Sequence, residues 1–325
     1  MFRVPHFEVF EQNPVFEFEL RRIKRLATPD RLWLYSALIQ AIPPLVMLAL
    51  YFVAMNDYVA HYFQNNPSAG YYYYSRFDEW IGALAMFILG LTAILVVCGD
   101  IYYMAVTVHS INHQVNSGHW DMLRLTPMDD ADIFEAKQVT AHIRGWRVMQ
   151  LEIALRLMLV TLAWASLLFP VRAFLNGEGF FGSSSAWVSL FRSFQSRPFY
   201  TLLTLITVLS LMATYIWEPR WRMRSLTSLG LYISSRVHNV SLSSVAAFFS
   251  IIGFHFVQIL LIFGAGWFFL RVLVDYSFAG YNYDVYPILQ MLAFILVIGI
   301  IFLFYRLSER WARQSALRAA FRSDL

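Results

Sequence analysis

Hydrophobic positions along this chain gather into six long, nearly unbroken stretches, at about Leu32–Met55, Trp80–Tyr103, Met149–Leu175, Phe199–Trp217, Val245–Val274 and Pro287–Tyr305. Each is near the twenty or so residues that a helix rising about 1.5 Å per residue needs to cross a hydrocarbon core of about 30 Å. The strict alternation of a barrel strand is missing, and open strands would leave backbone groups unpaired in lipid. The pattern therefore predicts an all-α, polytopic membrane protein with six transmembrane helices. Six crossings return the chain to the side on which it began.

The connections sort by charge. Most of the 25 Lys and Arg residues fall in the N-terminal segment, in His109–Val148, in Glu218–Ser244 or in the C-terminal tail. Arg76, Arg172, Arg192 and Arg197 lie in the opposite loops, and Arg156 and Arg271 lie within spans. By the positive-inside rule, both termini and the two basic loops are cytoplasmic, and the chain is integral to a plasma or inner membrane. The expected layout is a cytoplasmic N-terminal segment at 1–31, a membrane domain at 32–305 with a loop at 109–148, and a basic tail at 306–325. The tyrosine run Tyr71–Tyr74 and the cluster Tyr276, Tyr281, Tyr283 and Tyr286 fall in the opposite loops and suit the headgroup level.

Composition agrees with this layout. Apolar residues make up 58% of the chain and charged ones 14%, against about 25% charged in an ordinary soluble domain. The net charge of +4 is carried mostly by arginines beside apolar segments, so membrane orientation explains it better than nucleic acid. Met1–Arg25 lacks the continuous apolar core of a secretory signal and is expected to remain in the mature protein. Cys98 is the one cysteine, which excludes a disulfide framework within the chain, and it is expected to be a small buried packing residue.

Two segments outside the spans have the pattern of interaction elements. Asn13–Arg25 places Phe16, Leu20 and Ile23 on one helical face and puts Arg21 and Arg22, with Lys24 and Arg25, toward its end. This predicts an amphipathic helix lying at the membrane interface, its basic end near anionic headgroups. In the loop between spans two and three, Trp120 and Leu123, with Leu125, make an apolar surface on a short helix that Pro127 ends. Asp129 or Asp130 then caps a second helix toward Ile133, Phe134 and Lys137. A helical hairpin parallel to the membrane is expected, presenting apolar side chains to a groove on another protein.

The segment NPVFEFELRR, together with Gly118, Trp120, Leu123, Leu125, Thr126 and Pro127 followed by Ile133 and Lys137, resembles the membrane subunits of the ABC-2 type transporter permease family. The six-span layout with both ends inside is similar as well. The resemblance implies that the N-terminal interfacial helix and the first cytoplasmic loop, the coupling helix, seat on a separate cytoplasmic ABC-type ATPase. It also implies a second permease subunit, as a homo- or heterodimer, and an exporter that works by coupling. A non-transporting structural or assembly subunit of a larger membrane complex would use the same cytoplasmic helices. An intramembrane enzyme or haem protein is a third class.

The remaining candidate chemistry is sparse. A phosphate-binding loop needs a lysine followed by Ser or Thr, but Lys24 and Lys137 precede Arg25 and Gln138, so no ATPase or other catalytic motif is expected in this chain. No metal or cofactor site is specified either. His109 and His113 are four apart without a third ligand, and His255 reads as a hydrogen-bonded packing residue. Within the spans, Glu152 and Arg156 are spaced to form an intrahelical ion pair, and Asp100 is placed to join them in a buried polar network.

Overall fold

The computed structural model describes Phe16 and residues 29–65, 70–112, 129–168, 192–237, 239–278 and 286–322. Among these residues, six long helices run in order: α1 (Pro29–Asn65), α2 (Gly70–Val108), α3 (Asp130–Leu168), α4 (Pro198–Arg236), α5 (Val240–Phe278) and α6 (Tyr286–Arg322). All six are long and apolar enough to cross a membrane. Phe263 and Trp267 are 74% and 69% exposed on the outside of the bundle. Such a surface would aggregate in water and is at rest against lipid tails.

Helix boundaries depart from the hydropathy pattern in an informative way. At about 1.5 Å per residue, the 39 residues of α3 extend about 58 Å, far more than the hydrocarbon core requires. The excess lies at one end of the bundle, where the beginnings of α3 and α5 meet the ends of α2, α4 and α6. We call it the basic end. Residues 130–148, expected in a separate helix of a hairpin, are instead the first turns of α3. The Asp129 carbonyl accepts from the backbone N–H groups of Asp132 at 2.9 Å and Ile133 at 3.2 Å, and the helix then runs unbroken to Leu168. Ile133, Phe134 and Lys137 are buried within this chain and present no face to a partner. Likewise, Glu218–Arg236, expected as a loop, continues α4, and α4 and α5 are joined through residues 237–239. Asn239 caps α5, its side chain accepting from the Ser241 N–H at 3.0 Å. Tyr71–Tyr74 also belong to a helix, the first turns of α2, and not to a loop.

Packing centres on α3 and α4. The most apolar window of α3 is 44% buried, against 6–17% for those of the other five helices, so α3 runs through the middle. α1 lies along α3, held by Met47, Tyr51 and Met55 against Leu162 and Ala165. The Trp146 indole donates to Ser36 Oγ at 2.7 Å, and Gln40 donates to Gln150. In the basic end the interior is polar. Gln138 donates to Ser228 Oγ at 2.8 Å, His142 meets Thr227 Oγ1 at 2.9 Å, and Ser234 Oγ accepts from the Ile111 and Asn112 backbone. Small residues let these backbones approach, as in membrane bundles generally. Cys98 is exposed on α2, contrary to the buried position expected. A small apolar residue facing hydrocarbon loses nothing by exposure there.

Gly230 marks the tightest approach. A Cβ there would lie 1.9 Å from Thr107 Oγ1 on α2, and that hydroxyl is fixed by bonds to the Tyr103 and Met104 carbonyls. Gly230→Ala should therefore lower stability by about 1–3 kcal/mol, read as the thermal unfolding midpoint in mild detergent. Gly90→Ala, which meets open space, should not lower it. Adding Thr107→Ala to Gly230→Ala should recover part of the loss.

Candidate functional site

Where the apolar stretches of the spans give way to the basic end, α3 and α4 each carry a glutamate followed four residues later by an arginine: Glu152 and Arg156, and Glu218 and Arg222. The helices run antiparallel, which sets residue 152 beside 222 and 156 beside 218. Each glutamate thus meets the arginine of the other helix as well as its own or a neighbouring one. Arg222 Nη2 donates to both Glu152 oxygens at 2.5 Å, and its Nη1 reaches Glu218 Oε2 at 3.1 Å. Arg156 Nη2 donates to Glu152 Oε1 and Glu218 Oε2, each at 2.6 Å.

Three further helices attach to this square. From α2, Asp100 accepts from Arg222 Nε at 2.9 Å. From α5, His255 Nε2 lies 2.7 Å from the other Asp100 oxygen. From α6, the Tyr305 hydroxyl donates to Glu218 and accepts from Gln258 of α5 at 2.9 Å. The cluster therefore ties α2 through α6 together. α1 contributes none of these groups and is fastened to α3 alongside.

Burial makes this geometry consequential. Asp100 and Glu152 are fully buried, and Arg222 is 2% exposed. An unpaired charge in such a place costs several kcal/mol, so each guanidinium must face carboxylates with good geometry. Three carboxylates meet two guanidiniums. The His255 imidazole stands at the edge of the cluster, 28% exposed, against the Asp100 oxygen that Arg222 does not use.

One arm of Arg156 is satisfied by the backbone, and a proline explains how. Pro219 has no N–H, so the Tyr215 carbonyl one turn earlier lacks its helical donor. Arg156 Nη1 donates to that carbonyl at 2.5 Å, and its guanidinium lies 4.6 Å from the centre of the Tyr215 ring. The proline remains within α4 because a neighbouring side chain re-satisfies the carbonyl it frees, the usual condition for proline inside a membrane helix.

Of the candidate residues read from sequence, Asp100, Glu152 and Arg156 come together here. Glu218, Arg222, Tyr305 and Gln258 were not anticipated, although the repeated Glu-to-Arg spacing in α4 was a visible signal. Gly118, Trp120, Leu123, Leu125, Thr126 and Pro127 lie outside the described residues, as do Leu20, Arg21, Arg22 and Ile23. Phe16 is helical and buried. Among the described residues no three His, Cys, Asp or Glu side chains converge as metal ligands. The carboxylates of the cluster are already engaged by guanidiniums, and what the arrangement does chemically is hold charge and couple helices.

Fold and cluster together define a multi-pass helical membrane protein organised around a buried ionic network. No protein-family model matches the chain, and no curated protein or solved structure is similar to it at a significant level.

Two outcomes follow from the cluster. Arg222→Gln takes from buried Asp100 its guanidinium and leaves Glu152 and Glu218 to share Arg156, and should destabilise the protein by about 3–5 kcal/mol. Adding Glu152→Gln should cost less than the sum of the two single changes, measured by thermal unfolding of all four proteins. Pro219→Ala returns a backbone donor to the Tyr215 carbonyl. In that background Arg156→Lys, which keeps the charge but loses the second arm, should cost about 1–2 kcal/mol less than in wild type.

Proposed function

We propose that this protein is the membrane-spanning subunit of an ABC-2 type exporter, coupling ATP hydrolysis by a separate cytoplasmic ATPase to substrate movement. The observation that carries this reading is the continuity of α3. The segment Gly118–Pro127, whose sequence resembles the coupling helix of that family, leads into α3 at Asp130, and α3 continues without a break to Glu152 and Arg156. About 33 Å of helix, at about 1.5 Å per residue, connect the two. A displacement at the loop reaches the ionic cluster through a rigid rod, and the cluster passes it to four other helices.

The basic end supports the same orientation. It carries Arg144, Arg147, Arg220, Arg224, Arg236 and the arginines of the α6 tail, so it faces the cytoplasm of the plasma or inner membrane. Helices projecting from that face form a platform for an ATPase, with the N-terminal segment around Leu20–Ile23 as a second contact. ATP binding draws two ATPases together and shifts the population between inward-facing and outward-facing arrangements. A second permease subunit, another copy or a related chain, completes the pathway. This chain performs no chemistry of its own.

A non-transporting structural or assembly subunit is the second reading. It is favoured by the closure of the cluster, which binds α2 through α6 into one body. A mild-detergent pull-down of the tagged chain, with mass spectrometry of its partners, separates the two. Recovery of a nucleotide-binding ATPase with wild type is expected, falling about tenfold or more in a Trp120→Ala, Leu123→Ala variant, since a buried interfacial tryptophan contributes about 2 kcal/mol or more. Abundant partners without any ATPase would put the structural subunit first.

A further inference from the structure

A groove of ≈ 740 Å³ lies between α5 and α6, with Leu229 of α4 in its lining. That volume falls within the roughly 300–1,000 Å³ of small-molecule sites. Its composition is graded along its length. One end is walled by Phe254 and Val257 of α5 and by Phe304 and Leu307 of α6, the two phenylalanine rings lying 4.9 Å apart. The other end, toward the charged tail of α6, is lined by Ser308, Arg310 and Gln314. Trp311 stands at the same end, 56% exposed, at the level where membrane proteins place indoles.

Charge at that end is unbalanced in a specific way. Arg306 is paired with Glu309 at 3.5 Å, and Arg313 is paired with Glu135 of α3. Arg310, between them in sequence, is exposed and forms no ion pair among the described residues. An apolar trough therefore ends in an uncommitted guanidinium flanked by a hydroxyl and a carboxamide. This is the complement of a molecule with a hydrocarbon chain and an anionic phosphate.

We propose that the groove holds one anionic phospholipid, with an acyl chain between Phe254 and Leu307 and its phosphate on Arg310 beside Ser308 and Gln314. The site rests on the membrane assignment alone and not on the exporter reading. Gly253 provides a clean way to close it, because a Cβ at this lining position meets nothing within 4 Å. A larger side chain there starts from a Cβ in open space and extends into the trough.

The test is native mass spectrometry of the full chain in mild detergent, titrated with phosphatidylglycerol or phosphatidylcholine, for wild type, Arg310→Gln and Gly253→Leu. Wild type is expected to retain one phosphatidylglycerol about fivefold more tightly than phosphatidylcholine, the contribution of one basic residue near a headgroup. Arg310→Gln should erase that preference, and Gly253→Leu should weaken both lipids. Unchanged phosphatidylglycerol retention in either variant overturns the assignment, as does equal retention of the two lipids by wild type.

Discussion

Two guanidiniums shared among three buried carboxylates are the constraint on which the rest of this molecule depends. In a membrane protein the apolar effect does little to hold one helix against another, because lipid tails are as apolar as leucine. Position and register must come from polar contacts and close packing. Here Arg222 alone contacts groups on α2, α3 and its own helix, and removing it would take from Asp100 its guanidinium and leave Glu152 and Glu218 to share Arg156. The antiparallel alignment of α3 and α4 follows, since sliding either helix by one turn would separate both Glu-to-Arg crossings.

The network also explains why the helices are so long. Charges at the level where apolar stretches end need protein on all sides. The polar interior of the basic end supplies it, with Gln138, His142, Thr227, Ser228 and Ser234 hydrogen-bonded between helices. Each such bond is modest, about 1 kcal/mol net, whereas leaving its buried groups unpaired would cost more. Glycine serves this packing where it is unavoidable: at Gly145 a Cβ would lie 2.9 Å from the Tyr103 ring, and Tyr103 packs beside Met223 and Ile153 in the same core.

How much of this was legible in the sequence depends on which signal was strongest locally. The six spans were legible because twenty apolar residues in a row have few other uses. Continuation of α4 past residue 217 was not, because Glu218, Pro219 and a run of arginines read as a break. Pro219 ends helices in water, where the carbonyl it frees has no better partner than solvent, but here Arg156 occupies that carbonyl. Residues 130–148 misled for a related reason: their charges suggested a surface helix, yet Lys137 and Gln138 are buried in a polar interior that hydropathy cannot distinguish from solvent. Asp100, Glu152 and Arg156 were recognisable as costly residues needing partners. Glu218 and Arg222 were counted as loop charges, so half of the network stayed hidden.

The ionic cluster and the proposed lipid groove meet on one helix. Of the five helices in the network, α5 joins it through two side chains near its middle, His255 on Asp100 and Gln258 on Tyr305. Phe254, adjacent to His255, packs against Tyr305 with ring centres 5.8 Å apart and also walls the groove. An acyl chain lying against Phe254 would brace α5 onto α6 and keep His255 on Asp100. Without that chain α5 keeps its own apolar packing, Phe254 on Phe304 and Tyr305 and Ile251 beside Met104 and Ile233, together with its two polar contacts. The groove and the ionic cluster therefore share adjacent residues of a single helix. The contacts that seat α5 against α6, Phe254 on Phe304 and Tyr305, lie within one turn of those that close the network, so packing and charge pairing place this helix together.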